Sequence, residues 1–441
     1  MIGLRADRRL RADFTWVLSG NVLYSACQWG IVVVLAKLGN PAQVGEYALG
    51  LAVSAPIVLF ANLQLRALLA SDVNGQFAFG QYLTFRLATL GAALIAVAGV
   101  AALTEPNGHQ AGIVMLVGLA QALEFVSDTY YGLMQRLERM DRISASLILK
   151  GPLSLAALWA AMYLTRSVVW AVVGLLLGRL LVLLMWDSRL GFAKVQKEPV
   201  ATRLEWNSGE MLKLFRMALP LGVISMLVAL NTNVPRYFVA ARLGSAELGI
   251  FSALASLVGA ATLVVAAYGQ SIFVPVARAC ANRDRAQYRN FVAQTAGLGA
   301  ALGGVAILIA ARFGRVILTH LFGKEYASHA DIFVLLMIAG IFMFVSSGFG
   351  YIMTAARSLR PQMPLFVASG AAAAVASAWL IPHFGLRGAA YAVLAAALVQ
   401  LSGGGIILWR IDRRFAGRAI PPLNVREPVT QEERSVEVGT A

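Results

Sequence analysis

Residues 167–186 read SVVWAVVGLLLGRLLVLLMW, an apolar segment in which Arg179 is the only charged residue. A helix needs about 20 consecutive apolar residues to cross ~30 Å of hydrocarbon, and this segment has that length. The residues that follow it, up to about 211, carry charges of both signs. The stretch therefore predicts a membrane-spanning helix that ends at a polar surface.

Segments of the same kind recur along the whole chain. Hydrophobic residues make up 59% and charged residues 13%, and the mean hydropathy is +0.71, which excludes a soluble globular protein. We predict an all-α polytopic membrane protein with twelve transmembrane helices. The predicted spans lie at about 14–38, 45–70, 82–103, 112–134, 143–164, 167–186, 212–238, 246–277, 290–311, 329–356, 362–382 and 387–409.

The basic residues alternate between the two sides of these spans. Of the 37 lysines and arginines, 28 fall on one side, 8 on the other, and Arg179 lies inside a span. Because short cytoplasmic loops retain Lys and Arg, both termini are predicted to be cytoplasmic. The net charge of +15 is spread over loops beside apolar spans, which favours contact with the lipid bilayer over nucleic-acid binding.

A short internal repeat suggests two halves. LAKLGNPAQVGEYALG at 35–50 aligns with VAARLGSAELGIFSAL at 239–254, with one gap. Two six-helix lobes in the same orientation would handle a substrate between them, although Leu-Gly turns also occur as generic helix connectors. The predicted domains are an N-terminal lobe at 1–187, a cytoplasmic linker at 188–211, a C-terminal lobe at 212–410 and a disordered cytoplasmic tail at 411–441.

The connections hold little that could act outside the membrane. Asn207 and Glu210 form a predicted capping box at the start of span 7, and the longest extracytoplasmic connection is predicted at about 312–328. None of these connections is long enough for a folded extracytoplasmic domain. No GxxxxGK[ST] loop or HExxH helix occurs, so we expect no catalytic residues, no cofactor and no metal.

Two ionisable residues fall at matching depth within the predicted spans. Glu124 in span 4 and Arg179 in span 6 each lie twelve residues from the outer end, or ~18 Å at 1.5 Å per residue. A charge at this depth needs a partner or a water-filled cavity. We predict an intramembrane ion pair; a purely structural pair, or an arginine facing lipid phosphate, remains an alternative to a transport role.

Asp128 follows Glu124 by four residues and shares its helix face, which Tyr131 and Gln135 continue. Two close carboxylates in an apolar setting repel each other, which makes a protonated state accessible unless a cation neutralises them. Glu124 and Asp128 are therefore candidates for coupling or gating. The alternative is that Asp128 is hydrated or hydrogen-bonded to a neighbouring span.

Span 7 combines Asn231, Asn233, Pro235 and Arg236 near its outer end. Pro235 removes a backbone donor opposite the carbonyl of Asn231, which predicts a kink and a gate. Arg236 could instead extend to the outer interface. Two further arginines, Arg66 and Arg86, lie near the inner ends of spans 2 and 3, where extension to the interface is again the alternative to a cavity position.

Four segments resemble a known family. EFVSDTYYGLMQRLERMDRISAS at 124–146 is similar to the span 4–5 signature of bacterial polysaccharide flippases, the O-antigen and exopolysaccharide branch of the multidrug/oligosaccharidyl-lipid/polysaccharide exporter superfamily. The family's other motifs resemble RALLASDVNGQFAFGQYLTFRL at 66–87, LPLGVISMLVALNTNVPRYFVAARLGSAELGIF at 219–251 and LIPHFGLRGAAYAV at 380–393. None of these motifs specifies a sugar.

The resemblance implies a transporter in the bacterial cytoplasmic (inner) membrane. Its cargo would be an undecaprenyl-pyrophosphate-linked oligosaccharide, moved by alternating access between two lobes around a cationic cavity, with a polysaccharide polymerase and other assembly proteins as candidate partners. Arg66, Arg86 and Arg236 fall in matching motifs, and Arg179 lies within the membrane, so these four are the candidates for contact with the pyrophosphate.

Three other functions compete with this prediction. A cation-coupled small-molecule exporter of the same superfamily would use Glu124 and Asp128. A membrane polysaccharide polymerase or ligase usually carries a large extracytoplasmic loop, which this chain lacks. A scaffold without transport activity would leave the charges at the membrane midplane unexplained.

Overall fold

Nearly all of the described chain is helical. The structure is a computed structural model that describes residues 2–72, 75–104, 108–190, 204–358 and 360–415. Twelve helical segments are long and apolar enough to cross a membrane, which confirms the predicted number of spans. The helices are α1 Ile2–Leu38, α2 Pro41–Asn62, α3 Leu65–Ser71, α4 Phe79–Thr104, α5 Gly108–Arg136, α6 Met140–Thr165, α7 Val168–Val182, α8 Ser208–Leu243, α9 Ser245–Ala281, α10 Arg285–Leu321, α11 Lys324–Ala327, α12 Ala330–Ala355, α13 Gln362–Phe384 and α14 Leu386–Arg414, with a π-helical segment at Leu183–Leu190.

Several helices extend beyond the predicted spans. α10 continues to Leu321, so the predicted connection at 312–328 is mostly helical, and α14 continues into the predicted tail as far as Arg414. Hydropathy marks where a helix leaves the hydrocarbon, whereas the helix itself ends where its backbone hydrogen bonds end. The middle of the predicted linker, 191–203, and the remainder of the predicted tail, 416–441, lie outside the described residues.

The second span is divided into α2 and α3 by two residues with left-handed backbone. Leu63 has φ 50° and Gln64 has φ 51°, a conformation that costs non-glycine residues roughly 1–2 kcal/mol each. Such residues persist only where the surrounding structure holds them. The sequence predicts one continuous helix here, because neither glycine nor proline marks the break.

The two halves of the chain meet at one face of the molecule. Because the number of spans is even, the start of α1 and the end of α14 share a face, here called the terminal face; the other is the far face. At the far face, a Cβ on Gly45 would overlap the carbonyl of Ser245, and one on Gly249 would overlap the carbonyl of Pro41. Gly45 and Gly249 occupy the same place in the two aligned stretches, which supports the internal repeat.

The apolar core is continuous at the far face and divided at the terminal face. One cluster combines residues of both halves, such as Tyr47 of α2 and Phe251 of α9. Toward the terminal face, one cluster lies on α3 to α6 and the start of α8, and a separate one lies on α9, α10 and α12 to α14. The halves are therefore joined at the far face and separated at the terminal face.

Helix α8 passes from one half of the molecule to the other. Asn207 accepts hydrogen bonds from the backbone N–H groups of Gly209 and Glu210, which confirms the Asn207 half of the predicted capping box. The helix is continuous across Pro220 and Pro235, so the prolines do not interrupt it. Its first turns pack against the first half, where Met211 and Leu214 join the cluster formed by α3 to α6. The lobe boundary at residue 212 stays a prediction.

Candidate functional site

Helix α5 carries the polar residues around which the candidate site is built. Glu124, Asp128, Tyr131 and Gln135 are spaced by three or four residues, which places them on one face of a helix with 3.6 residues per turn. The two carboxylates contact different arginines, which reach them from different helices. The face predicted from the sequence is thus occupied by two separate ion pairs.

The first pair joins Glu124 to Arg179, as predicted from their depth. Arg179 Nη2 lies 3.1 Å from Glu124 Oε2, and Arg179 Nη1 donates to the carbonyl of Ala120 at 2.7 Å. The hydroxyl of Tyr24 donates to Glu124, and Gln28 links Tyr24 to Arg179. The Arg179 side chain is 6% exposed and that of Glu124 is 32% exposed. The network is therefore buried at Arg179 and accessible from outside the protein at Glu124.

Substitution of either partner should weaken this network. Removing one partner of a fully buried pair costs about 3–5 kcal/mol, and the partial exposure of Glu124 should lower that value. We expect Glu124→Gln and Arg179→Gln each to lower the thermal unfolding midpoint or the transport rate, and the charge-swapped double variant to recover part of the loss. Glu325→Gln, an exposed carboxylate on α11, is the control. Absence of recovery in properly inserted protein would contradict the pairing.

The second pair joins Asp128 to Arg66 of α3. Arg66 Nη1 lies 3.0 Å from Asp128 Oδ1, and Arg66 Nε donates to Gln135 Oε1 at 3.3 Å. The Arg66 side chain is 36% exposed. Because each carboxylate on α5 has its own cation, the repulsion that the sequence analysis considered between Glu124 and Asp128 is neutralised, and Asp128 is held by an ion pair.

Arg86 is completely buried and does not extend to the interface. Its Nε donates to the hydroxyl of Thr129 at 2.9 Å and its Nη1 donates to the carbonyl of Asn62 at 2.8 Å. Asn62 is the last residue of α2, where unpaired carbonyls favour a positive charge. Arg86 therefore stabilises the break between α2 and α3, and in this conformation it offers no exposed group to a cargo.

Arg236 faces a cavity in the second half of the molecule. The cavity has a volume of about 430 Å³ and is lined by α8, α9, α12, α13 and α14, with Asn231, Thr232 and Pro235 beside Arg236. The described residues around it include no carboxylate. Arg236 donates to Asn233 Oδ1 at 2.9 Å, so it is turned inward and does not extend to the outer interface.

The two asparagines of α8 have different partners. Asn233 is buried, and its amide donates to the carbonyl of Ala229 at 2.9 Å while its oxygen accepts from Arg236. Asn231 donates to the carbonyl of Phe366 on α13 at 3.0 Å. Asn233 orients Arg236, and Asn231 joins α8 to α13 next to the cavity.

The structure also contains a buried ion pair that the sequence analysis missed. Lys150 Nζ lies 3.2 Å from Asp187 Oδ2, and their side chains are 1% and 0% exposed. The charge count places Lys150 among the 28 basic residues on one side of the spans. One feature of the sequence could have indicated the pair: Lys150 lies ten residues inside α6, and Asp187 is an acidic residue at the end of span 6.

The described ranges contain no group of three or more His, Cys, Asp or Glu side chains that could hold a metal ion. The charged groups of the site are instead arginines, a lysine and the carboxylates that neutralise most of them. Arg66 and Arg236 differ from the buried cations, because each is open to a surface or a cavity. Such groups can bind an anion by charge-assisted hydrogen bonds.

Comparison with known proteins gives a family and a fold. A family model described as "Polysaccharide biosynthesis protein" matches residues 10–280. The capsular polysaccharide biosynthesis protein CapF of Staphylococcus aureus is 23% identical over 395 residues, which cover 88% of this chain and 96% of that protein.

Solved transporters share the fold at low sequence identity. An inward-facing multidrug resistance MATE family transporter gives a TM-score of 0.71 at 12% identity, covering 92% of this chain and 100% of that one. The lipid II flippase MurJ, in an inward closed conformation, gives 0.67 at 9% identity, covering 91% and 90%. An outward-facing MATE family transporter gives 0.63 at 13% identity, covering 93% and 96%.

Proposed function

Because the chain belongs to the family of polysaccharide biosynthesis proteins, we propose that it is a flippase for an undecaprenyl-pyrophosphate-linked oligosaccharide. It would move this cargo from the inner to the outer leaflet of the bacterial cytoplasmic membrane during synthesis of a surface polysaccharide. The observation that carries the proposal is the placement of Arg236, a cation inside a cavity whose described lining has no carboxylate.

The charge at Arg236 suits an anionic cargo physically. Arg236 is half-buried, and a cation inside the membrane whose cavity supplies no counter-charge is unfavourable. A pyrophosphate or another anionic group of the cargo would relieve that cost. A second cavity, of about 710 Å³, shares Val228, Thr262, Met343, Phe366 and Gln400 with the first. Its wall is largely apolar and includes neutral amides and hydroxyls such as those of Gln270 and Ser347. Neutral polar groups of this kind are suited to hydrogen-bonding sugars.

Arg66 is the second candidate for contact with the cargo. It lies near the terminal face, and its guanidinium stays partly exposed while it contacts Asp128. Arg86 and Arg179 are 0% and 5% exposed, and both are engaged by groups of the first half. We therefore assign Arg66 and Arg236 to the cargo, Arg86 to the helix break, and Arg179 with Glu124 to the coupling or gating of the lobes.

The arrangement of the halves supports alternating access. With the terminal face in the cytoplasm, as the charge distribution indicates, the structure would be a state closed toward the outside and divided toward the inside. The far-face contact of α2 and α9 would then be the outer gate. The cargo shifts the equilibrium between two such states only if it binds them with different affinities.

A cation-coupled small-molecule exporter is the second candidate, and one observation favours it. Glu124 is partly exposed and hydrogen-bonded to Tyr24, so it could exchange a proton during transport. If so, transport in vesicles should respond to an imposed pH gradient and lose that response in Glu124→Gln. A rate that is indifferent to the gradient would remove this role.

Deletion of the gene tests the proposed function in the cell. We expect lipid-linked repeat units to accumulate in the inner leaflet and surface polymer to disappear, because a charged pyrophosphate and its sugars do not cross the hydrocarbon core unaided. The measurement is extraction of the lipid-linked pool together with immunoblotting of the surface polymer. Normal surface polymer in a strain that carries no second flippase gene would exclude the proposal.

A further inference from the structure

We propose that Lys150 and Asp187 are positioning residues for Arg66 and that they act through the ring of Tyr131. The inference rests on the proposed function, in which Arg66 contacts the anionic group of the cargo. It assigns a role to the one fully buried lysine–aspartate pair of the described chain, which the site as built from the sequence did not include.

Four side chains form a closed ring of hydrogen bonds in the first half of the molecule. Lys150 Nζ donates to the hydroxyl of Tyr131 at 2.7 Å and lies 3.2 Å from Asp187 Oδ2. Ser146 donates to Asp187 Oδ1 at 2.6 Å, and the hydroxyls of Ser146 and Tyr131 lie 2.7 Å apart. A buried network whose members all have partners permits a single arrangement of its side chains. The orientation of Tyr131 is therefore fixed from α6 and from the π-helical segment.

Tyr131 also contacts Arg66. The Arg66 Cζ atom lies 5.6 Å from the centroid of the Tyr131 ring, and Lys150 Nζ lies 4.8 Å from the same centroid. Asp128 and Gln135 bind the Arg66 guanidinium on either side of Tyr131 along α5. The base of Arg66 is held as well, since a Cβ on Gly132 would lie 3.2 Å from the Arg66 Cα atom. Of the three α5 side chains that hold Arg66, Tyr131 is the one that Lys150 and Asp187 orient.

Stability alone is a weak explanation for this ion pair. Burial of two charges costs about as much as their attraction returns, and an apolar pair of the same volume is often as stable. A hydrogen-bonded pair differs from an apolar one in fixing a geometry. Asp187 lies on the π-helical segment Leu183–Leu190, and such segments are frequent at functional sites. The geometry of the Lys150–Asp187 pair fixes the orientation of Tyr131, and Tyr131 in turn holds Arg66.

The test is a double-mutant cycle with farnesyl pyrophosphate as a soluble probe, titrated calorimetrically into the full-length protein in detergent. Arg66→Gln should weaken binding about tenfold, the effect of losing one charge-assisted hydrogen bond. Lys150→Met should weaken it about threefold to tenfold in the wild-type background and have no further effect in the Arg66→Gln background. Tyr131→Phe keeps the ring and removes the hydroxyl, and it serves as the second variant if Lys150→Met does not fold. Lys324→Met, an exposed lysine on α11, is the control.

Each outcome decides the inference. Weaker binding by Lys150→Met or Tyr131→Phe that disappears without Arg66 supports positioning. A lowered thermal midpoint with unchanged affinity would overturn it, because that result describes a structural pair only. Independent, multiplying effects of Lys150→Met and Arg66→Gln would also overturn it. If the wild-type protein does not bind farnesyl pyrophosphate at all, the proposed function fails together with this inference. If the wild type binds the probe and Arg66→Gln binds it as tightly, only the role of Arg66 and of its positioning residues fails.

Discussion

Replacement of Gly249 by leucine is expected to reduce transport to less than about a tenth while the protein stays folded. Gly249 lies so close to the carbonyl of Pro41 that even a Cβ overlaps it. Backbone atoms cannot rotate away as a side chain can, so the strain, about 1–3 kcal/mol or more for an overpacked site, can be relieved only by separating the halves. Because each 1.4 kcal/mol changes a two-state equilibrium tenfold, the conformation closed at the far face should become a minor state.

The conformational change can be measured apart from transport. A cysteine at Ala48, which is buried in the cluster shared by both halves, should react slowly with a water-soluble maleimide in the closed state and quickly in Gly249→Leu. The native Cys27 and Cys280 would be replaced by serine for this experiment. Gly99→Leu on α4 is the matched control, since a Cβ there meets nothing within 4 Å. Equal labelling and equal transport in Gly249→Leu and Gly99→Leu would contradict a gate at this contact.

Replacement of Arg236 by glutamine should weaken transport of the pyrophosphate-linked cargo about 10- to 100-fold, since a hydrogen bond to a charged group contributes about 1.5–3 kcal/mol. The loss should appear mainly in the apparent KM for the cargo, provided that Arg236 binds it equally before and during the conformational change. Arg236→Lys keeps the charge and loses the planar fork of donors, so an intermediate value is expected. The measurement is initial transport rate against cargo concentration in reconstituted vesicles.

The thermal stability of the Arg236→Gln variant distinguishes a cargo-binding role of Arg236 from a structural role. A half-buried cation whose cavity supplies no carboxylate does not stabilise the empty protein, so the thermal unfolding midpoint of Arg236→Gln should equal or exceed that of the wild type. Arg242→Gln is the matched control, because Arg242 lies on the same helix and is exposed near the far face. An unchanged KM, or a large loss of stability with no change in KM, would assign Arg236 a structural role.

The sequence was sufficient to predict the number of spans, and the position of two charges along their spans was enough to predict one contact. Glu124 and Arg179 could be paired because both lie far from either end of an apolar span, where a charge needs a partner. The pair of Arg66 with Asp128 was not predicted, because it depends on the left-handed residues Leu63 and Gln64 that turn α3 toward α5. Neither residue type signals such a turn.

Rotation about the helix axis was the information that the sequence lacked. From its sequence alone, Lys150 could extend along α6 to the terminal face. Only the packing of α5, α6 and the π-helical segment turns it toward Asp187. The sequence also lacks the rotation of Arg86 and Arg236 about their helix axes, and the two residues end in opposite environments. Both lie near span ends, and the structure places one inside the packed first half and the other at a cavity.

The central claim is that this protein moves a pyrophosphate-linked oligosaccharide between leaflets, and a leaflet-accessibility assay tests it most directly. Purified protein would be reconstituted into vesicles that contain the lipid-linked oligosaccharide in both leaflets, and a membrane-impermeant glycosidase would be added outside. We predict that the inner-leaflet pool becomes cleavable at a rate that increases with the amount of wild-type protein and falls at least tenfold in Arg236→Gln. The same cleavable fraction in vesicles with and without the protein would contradict the account.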